Sequence, residues 1–219
     1  MLRRAPAADG RHEPRAPDAL LRARRLWFRS AIGVALAGAL SGPACLAASD
    51  LPAFELIRRG GVAVLMRHSE TVPGTGDPPG FRLDDCSTQR NLSERGKAQA
   101  RALGERFRRA GIRFDRVLTS QWCRCRDTAV LIAGQAEDWP AVNSFFEDRS
   151  TEARQTAEAL ARLATLGPNE RWLVVTHQVN ISALTGVFTQ QGEALVVRPR
   201  RDGDKTVLEV LGRIPVSSS

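Results

Sequence analysis

Two short stretches, residues 61–66 (GVAVLM) and 171–176 (RWLVVT), are almost wholly apolar. That is the pattern of strands buried on both faces of a parallel sheet, where no face alternates toward water. Between them, small or apolar residues at Gly96, Ala100, Leu103, Phe107 and Ala110 recur every three or four positions, with Ser93 placed to cap a helix and Gly111 to end it. Residues 114–120 predict a third strand and 122–134 a second helix. A stripe of Ala153, Ala157, Leu160 and Ala164 predicts a helix over 151–166, stopped by Gly167-Pro168. Near the end, 194–199 and 205–211 flank Asp202-Gly203 and read as a hairpin. Residues 72–85 (VPGTGDPPGFRLDD) show no periodicity and many turn formers, so they predict a loop. Strands alternating with helices predict an α/β fold, a three-layer α/β/α sandwich around a mostly parallel central sheet. In such sheets ligands bind beyond the carboxyl ends of the strands.

Composition leaves that picture standing and trims the charge. With 42% hydrophobic and 26% charged residues, the chain of 219 is neither disordered nor a polytopic membrane protein. The formal net charge is +8. Residues 1–48 hold eight arginines against Asp9, Glu13 and Asp18, which is +5, so only +3 is left for residues 49–219. Arg22, Arg24, Arg25 and Arg29 precede an uncharged, Ala- and Leu-rich stretch over 30–48 that ends in small residues. This is the layout of a secretory signal peptide cleaved after Ala47 or Ala48. Domains are therefore expected as 1–48 signal peptide and 49–219 folded body, with periplasmic localisation. An uncleaved anchor is the rival reading, since 19 uncharged residues could just span a bilayer. A twin-arginine signal through Arg24-Arg25 and a lipoprotein through Cys45 fit less well.

Export makes the cysteines interpretable. Beyond the leader stand Cys86, Cys123 and Cys125, which an oxidising compartment permits to form one disulfide with one thiol left over. Cys123 and Cys125 fall on different sides of a helix, so a bridge from Cys86 to one of them is expected. C-x-C with a single distant Cys and no nearby His lacks zinc-ligand spacing, and no metal is expected.

Of three histidines, His68 and His177 belong to the body, and each stands just past the C-terminal end of an apolar strand. Arg67 adjoins His68. Ser120 ends the third strand, and Arg124 follows one turn into the next helix. Two imidazoles and two guanidinium groups at one sheet edge suit a phosphoryl group, whose charged oxygens match the Arg fork. A neutral imidazole can attack phosphorus and hold it as a phosphoramidate. Fixed cations then stabilise the charge on the equatorial oxygens, with no cofactor required.

Leu65–Thr71 (LMRHSET), 91–100 (NLSERGKAQA), 120–129 (SQWCRCRDTA) and 174–177 (VVTH) with Ala183-Leu184-Thr185 after it resemble, in order, four blocks of the histidine phosphatase superfamily. That superfamily is also called phosphoglycerate mutase-like. The resemblance implies the mutase-like α/β fold, His68 as nucleophile, Arg67 and Arg124 as phosphate clamps, and His177 as the second imidazole on the phosphoryl oxygens. Arg124, four before Thr128, meets the family spacing, and Arg126 reads as a solvated charge or rim contact. Ser69 and Gln178 stand where the family often has Gly. The family's proton donor is a Glu between the second and fourth blocks. Glu147 is the candidate named for that role, with Asp148 beside it, Glu152 behind and Glu70 as an outside alternative.

The function expected is an exported, metal-independent phosphatase that hydrolyses a phosphomonoester through a phosphohistidine, on a small-molecule or glycan phosphate ester such as an envelope sugar phosphate. A non-catalytic phosphate-binding protein and a phosphohistidine phosphatase acting on protein are the alternatives. Arg82 and Arg90 read equally well as anion contacts or solvated charges. Arg198, Arg200 and Arg201 lack interleaved aromatics, so no nucleic-acid partner is expected. Membrane contact is expected only through the leader if it stays uncleaved, and the oligomeric state is left open.

Overall fold

A computed structural model describes residues 51–216. The leader expected over 1–48 lies outside the described residues. The helix α1 (Leu51–Arg59) is followed by β1 (Val62–Arg67), α2 (Glu94–Arg109), β2 (Arg116–Thr119), α3 (Cys123–Ala133), β3 (Glu137–Asp138), α4 (Glu152–Leu163), β4 (Arg171–Thr176), α5 (Gln178–Thr185), β5 (Ala194–Asp202) and β6 (Lys205–Ile214). One sheet takes the order β3-β2-β4-β1-β5-β6. The pairings β3 with β2, β2 with β4 and β4 with β1 are parallel, and the β5–β6 hairpin adds two antiparallel strands against β1.

The central strands bury both faces, as their apolar runs require. Val62, Val64 and Met66 of β1, with Leu173 and Val175 of β4, pack under α1, α2 and α3 through Phe54, Ile57, Leu103, Phe107, Ala129 and Ile132. Ala63, Leu65, Trp172 and Val174 point the other way, onto Ala159 and Leu163 of α4 and Ile181 and Leu184 of α5. Period-two alternation thus divides each strand between two cores and makes three layers.

Ser93 caps α2, its hydroxyl accepting from the amide of Gly96. A side chain at Gly96 would lie 1.9 Å from the carbonyl oxygen of Glu70, so only glycine lets α2 seat against the segment after β1. Gly134, with φ +82°, closes α3 in the left-handed conformation.

The Ala stripe misplaces the face of α4. Ala153, Ala157 and Ala164 are exposed, and the buried ridge is Gln155, Ala159 and Leu163. Alanine fits either side of a helix and so says little about direction, whereas the buried Gln155 amide is occupied by the carbonyls of Pro140, Ala141 and Asn143. The periodicity also gave no sign of α1 or α5.

Candidate active site

Strand register builds the site. In the β1–β4 ladder Arg67 pairs with Thr176, so the next residues, His68 and His177, leave the sheet side by side. Their ring centroids are 5.6 Å apart. In the β2–β4 ladder Thr119 pairs with Val175, which brings Ser120 to the same edge. The ladder runs on past the strands, as His68 donates its amide to Thr176 and Ser120 donates its own to Val175. From Ser120 the chain turns into α3, whose second residue is Arg124. His177 is itself the residue that precedes α5. Two helices therefore start at this edge, with their N-terminal amides and positive dipole ends toward it.

Arg67, His68, Arg124 and His177 line one cavity of about 380 Å³, together with Glu147 and Asp148. His68 and His177 are buried, at 3% and 4% exposure. Nδ1–H of His68 donates to the carbonyl oxygen of Ser69 at 2.9 Å. A carbonyl only accepts, so the proton sits on Nδ1 and the lone pair on Nε2. Burial is the main force lowering the His68 pKa, to about 3, with Arg124 and Arg67 adding to it and the Ser69 hydrogen bond opposing. His177 is pushed well below the ordinary imidazole value, first by burial and then by Arg124. Both rings are neutral at neutral pH. Nε2 of His177 lies 2.8 Å from Oγ of Ser120. That hydroxyl also faces Oδ1 of Asn143 at 3.2 Å. Its one proton serves a single neighbour at a time, and the choice fixes which His177 nitrogen is protonated.

The guanidinium groups are held by their ends. Nη1 of Arg67 donates to the carbonyl of Thr189. Arg124 presents both terminal nitrogens to Asp77, at 2.7 and 3.1 Å. The pair is sealed from water, with side-chain exposures of 5% and 4%. In both arginines Nε is buried and has no hydrogen-bond partner within the protein. Both guanidinium groups thus keep hydrogen-bonding capacity unused by the protein in residues that line the cavity, which suits a multiply charged oxyanion.

Asp77 is the residue that sequence reasoning missed. It sits in the middle of the loop over 72–85, and its carboxylate also accepts from the amide of Arg90 and from Nε1 of Trp122, both at 2.9 Å. Burial raises its pKa, but the hydrogen bonds from Arg124 and Arg90 outweigh that and hold it below the usual carboxylate value. Arg90, left open between anion contact and solvated charge, is not a freely solvated charge: it lines the cavity. Its side chain donates to the carbonyls of Gly76 and Gly74 and to the Thr71 hydroxyl, stitching the loop down. The only sequence signal for Asp77 was a charge inside a Gly- and Pro-rich loop.

Cys86 is bridged to Cys123, with Cα atoms 5.7 Å apart. This fastens the far end of the loop to the first residue of α3, next to Arg124. Among the described residues, Cys125 is the free thiol. It is buried, and burial pushes its pKa up to about 12, so it stays a neutral S–H near His177.

The other acidic candidates separate by position. Glu147 and Asp148 line the cavity, but Asp148 accepts from the backbone of Ser150 and caps a short turn. Glu152 pairs with Arg149, and Glu70 accepts from the Ser93 hydroxyl and pairs with Arg95. Arg126 forms an exposed pair with Asp138. Ser69, where the superfamily often has Gly, is fully buried, and its hydroxyl finds no partner.

Comparison with known proteins agrees with this geometry. The profile of the histidine phosphatase superfamily (branch 1) matches residues 63–148. The mitochondrial serine/threonine-protein phosphatase Pgam5 of Drosophila virilis is 31% identical over 74 residues, a match that spans 34% of this chain and 22% of that protein. Among solved structures, one described as mycobacterial hydrolase 2 superposes with a TM-score of 0.53 at 16% identity, over 72% of this chain and 92% of the other. A mycobacterial glucosyl-3-phosphoglycerate phosphatase does so with a TM-score of 0.51 at 16% identity, over 72% and 99%. At that identity the structures speak for the fold, and the sequence profile speaks for the family. In its four sequence blocks and in the profile matched over residues 63–148, the chain is similar to the histidine phosphatase superfamily.

Proposed function

We propose that the protein is a phosphomonoesterase that works through a phosphohistidine on His68 and needs no metal. The observation that carries this reading is the neutral His68, with Nδ1 committed to Ser69, set in a cavity beside two arginines whose Nε–H groups have no protein partner. Nε2 of His68 attacks phosphorus and forms the N–P bond while the ester P–O bond breaks. The leaving oxygen takes its proton from Glu147, which then removes one from the water that cleaves N–P and releases phosphate. Arg67 and Arg124 bind the equatorial oxygens, where each such donor contributes about 3–4 kcal/mol to transition-state stabilisation. His177 donates from Nδ1 while Ser120 donates its hydroxyl proton to Nε2.

His68→Ala is expected to abolish phosphate release from an aryl phosphate, and a chelator is expected to leave the wild type unaffected. Full activity in the variant, or loss on chelation, overturns the reading.

The same proposal places the protein in an oxidising compartment, reached by a cleaved leader over 1–48, where an envelope sugar phosphate would be within reach. The Cys86–Cys123 bridge supports that placement. Mass spectrometry of the protein recovered from the periplasm is expected to find a mature N-terminus near residues 48–49. A mature chain beginning before Ala44 overturns it.

A further inference from the structure

The cavity is several times larger than one phosphoryl group, so its remaining walls must meet the rest of the substrate. Those walls are unlike the phosphate end. Trp122 packs edge-on against His177, with ring centroids 5.2 Å apart, and Phe81 tilts against Trp122 at 5.7 Å. An aromatic chain thus leads outward from the second histidine. Phe146 also lines the cavity and is 55% exposed, an unusual exposure for a large apolar ring. Val179 completes this apolar wall.

Charge is distributed just as unevenly. Among the described residues lining the cavity, the cations are Arg67, Arg90 and Arg124. Arg90 commits Nε and Nη1 to Gly74, Gly76 and Thr71, and the ends of Arg124 are taken by Asp77. Three carboxylates of the same lining, Asp77, Glu147 and Asp148, match those three cations, so the wall holds no surplus positive charge for an anion beyond the phosphoryl group. Beyond it stand Glu147 and Asp148, which repel any second anion.

We propose that the aromatic wall of Phe81, Trp122 and Phe146 is a leaving-group subsite. It takes monoesters whose body offers a flat, apolar face and carries no second anionic group. A sugar ring with a single phosphate and an aryl phosphate both satisfy this requirement, whereas phosphoglycerates and bisphosphates do not. The proposal rests on the phosphatase reading for its reaction but not for its binding, and the test keeps the two apart.

Phenylphosphonate, phosphonoacetate and inorganic phosphate are not cleaved, so their affinities can be measured by calorimetry without turnover. Phenylphosphonate is expected to bind about fivefold or more tighter than phosphonoacetate. Phe146→Ala, which removes an exposed ring and leaves the core intact, is expected to weaken phenylphosphonate about fivefold and change inorganic phosphate less than about twofold. Glu147→Gln is expected to narrow the gap between the two phosphonates by removing the repulsion. Equal affinity for the two phosphonates, or a Phe146→Ala variant that binds both like the wild type, overturns the subsite. Hydrolysis of phenyl phosphate and 3-phosphoglycerate is measured alongside. If the binding order holds and neither ester is cleaved, the phosphatase reading falls and the subsite stands. If 3-phosphoglycerate is the better substrate, the subsite falls and the phosphatase reading stands.

Discussion

Asp77 shows what a single side chain can do far from any motif. It lies 47 residues before Arg124, yet it receives both ends of that guanidinium in a pair shielded from water. Burying two charges is expensive, and removing one partner leaves the other uncompensated, which typically destabilises a fold by about 3–5 kcal/mol. Asp77→Asn is therefore expected to lower the urea midpoint by an amount in that range. Structural loss alone does not identify the role, so the useful readout is linkage to an anion. A bound phosphate dianion supplies the missing negative charge beside Arg124, and it stabilises only the folded state. Inorganic phosphate should raise the midpoint of Asp77→Asn by more than it raises that of the wild type. Equal shifts in the two proteins would mean that Arg124 does not face the anion.

At the scale of elements, legibility followed how strongly one physical requirement dominated each segment. Strands β1 and β4 were readable because burial on both faces favours apolar residues, and burial is continuous from Val62 to Met66 and from Trp172 to Thr176. Helix α2 was readable because its cap, its buried ridge and its end all lie in sequence order. In α4 the face was misread because alanine is indifferent to burial, and the decisive contacts of Gln155 are with carbonyls 12 to 15 residues away. Helix α5 spans only Gln178–Thr185 and carries β-branched Val179 and Ile181, so propensity spoke against it. Packing against β1 and β4 settles the matter there. The same division holds for the site. That His68 and His177 both follow buried strands is local information, but that they leave the sheet at one level is fixed by the register of Arg67 opposite Thr176. The pairing of Asp77 with Arg124 is longer-range still, and nothing in the spacing encodes it.

For the molecule as a whole, the net charge of +8 suggests a broad field, but most of it belongs to residues 1–48, and the consequential charges are those around two buried histidines. Those histidines tie the stability of the entire fold to pH. Unfolded, each takes up a proton as pH falls through about 6.5. Folded, His68 stays neutral down to about 3, and His177 is likewise held well below its ordinary value. Between those limits the unfolded chain binds more protons than the native one, so stability falls as pH falls, and above about 6.5 the histidines contribute no slope. Each steepens the loss by up to about 1.4 kcal/mol per pH unit. Carboxylates add their own acid sensitivity, which a substitution at His68 leaves largely in place, so the difference between two proteins isolates the imidazole. His68→Asn removes the titrating group and keeps a side chain that can still donate to Ser69. Its unfolding free energy, measured in urea from pH 7 to pH 4, is expected to decline less steeply than that of the wild type, by close to one proton's worth of slope near pH 5. Parallel curves would show that His68 titrates alike in both states, and the buried neutral imidazole on which the proposed attack depends would be lost with it.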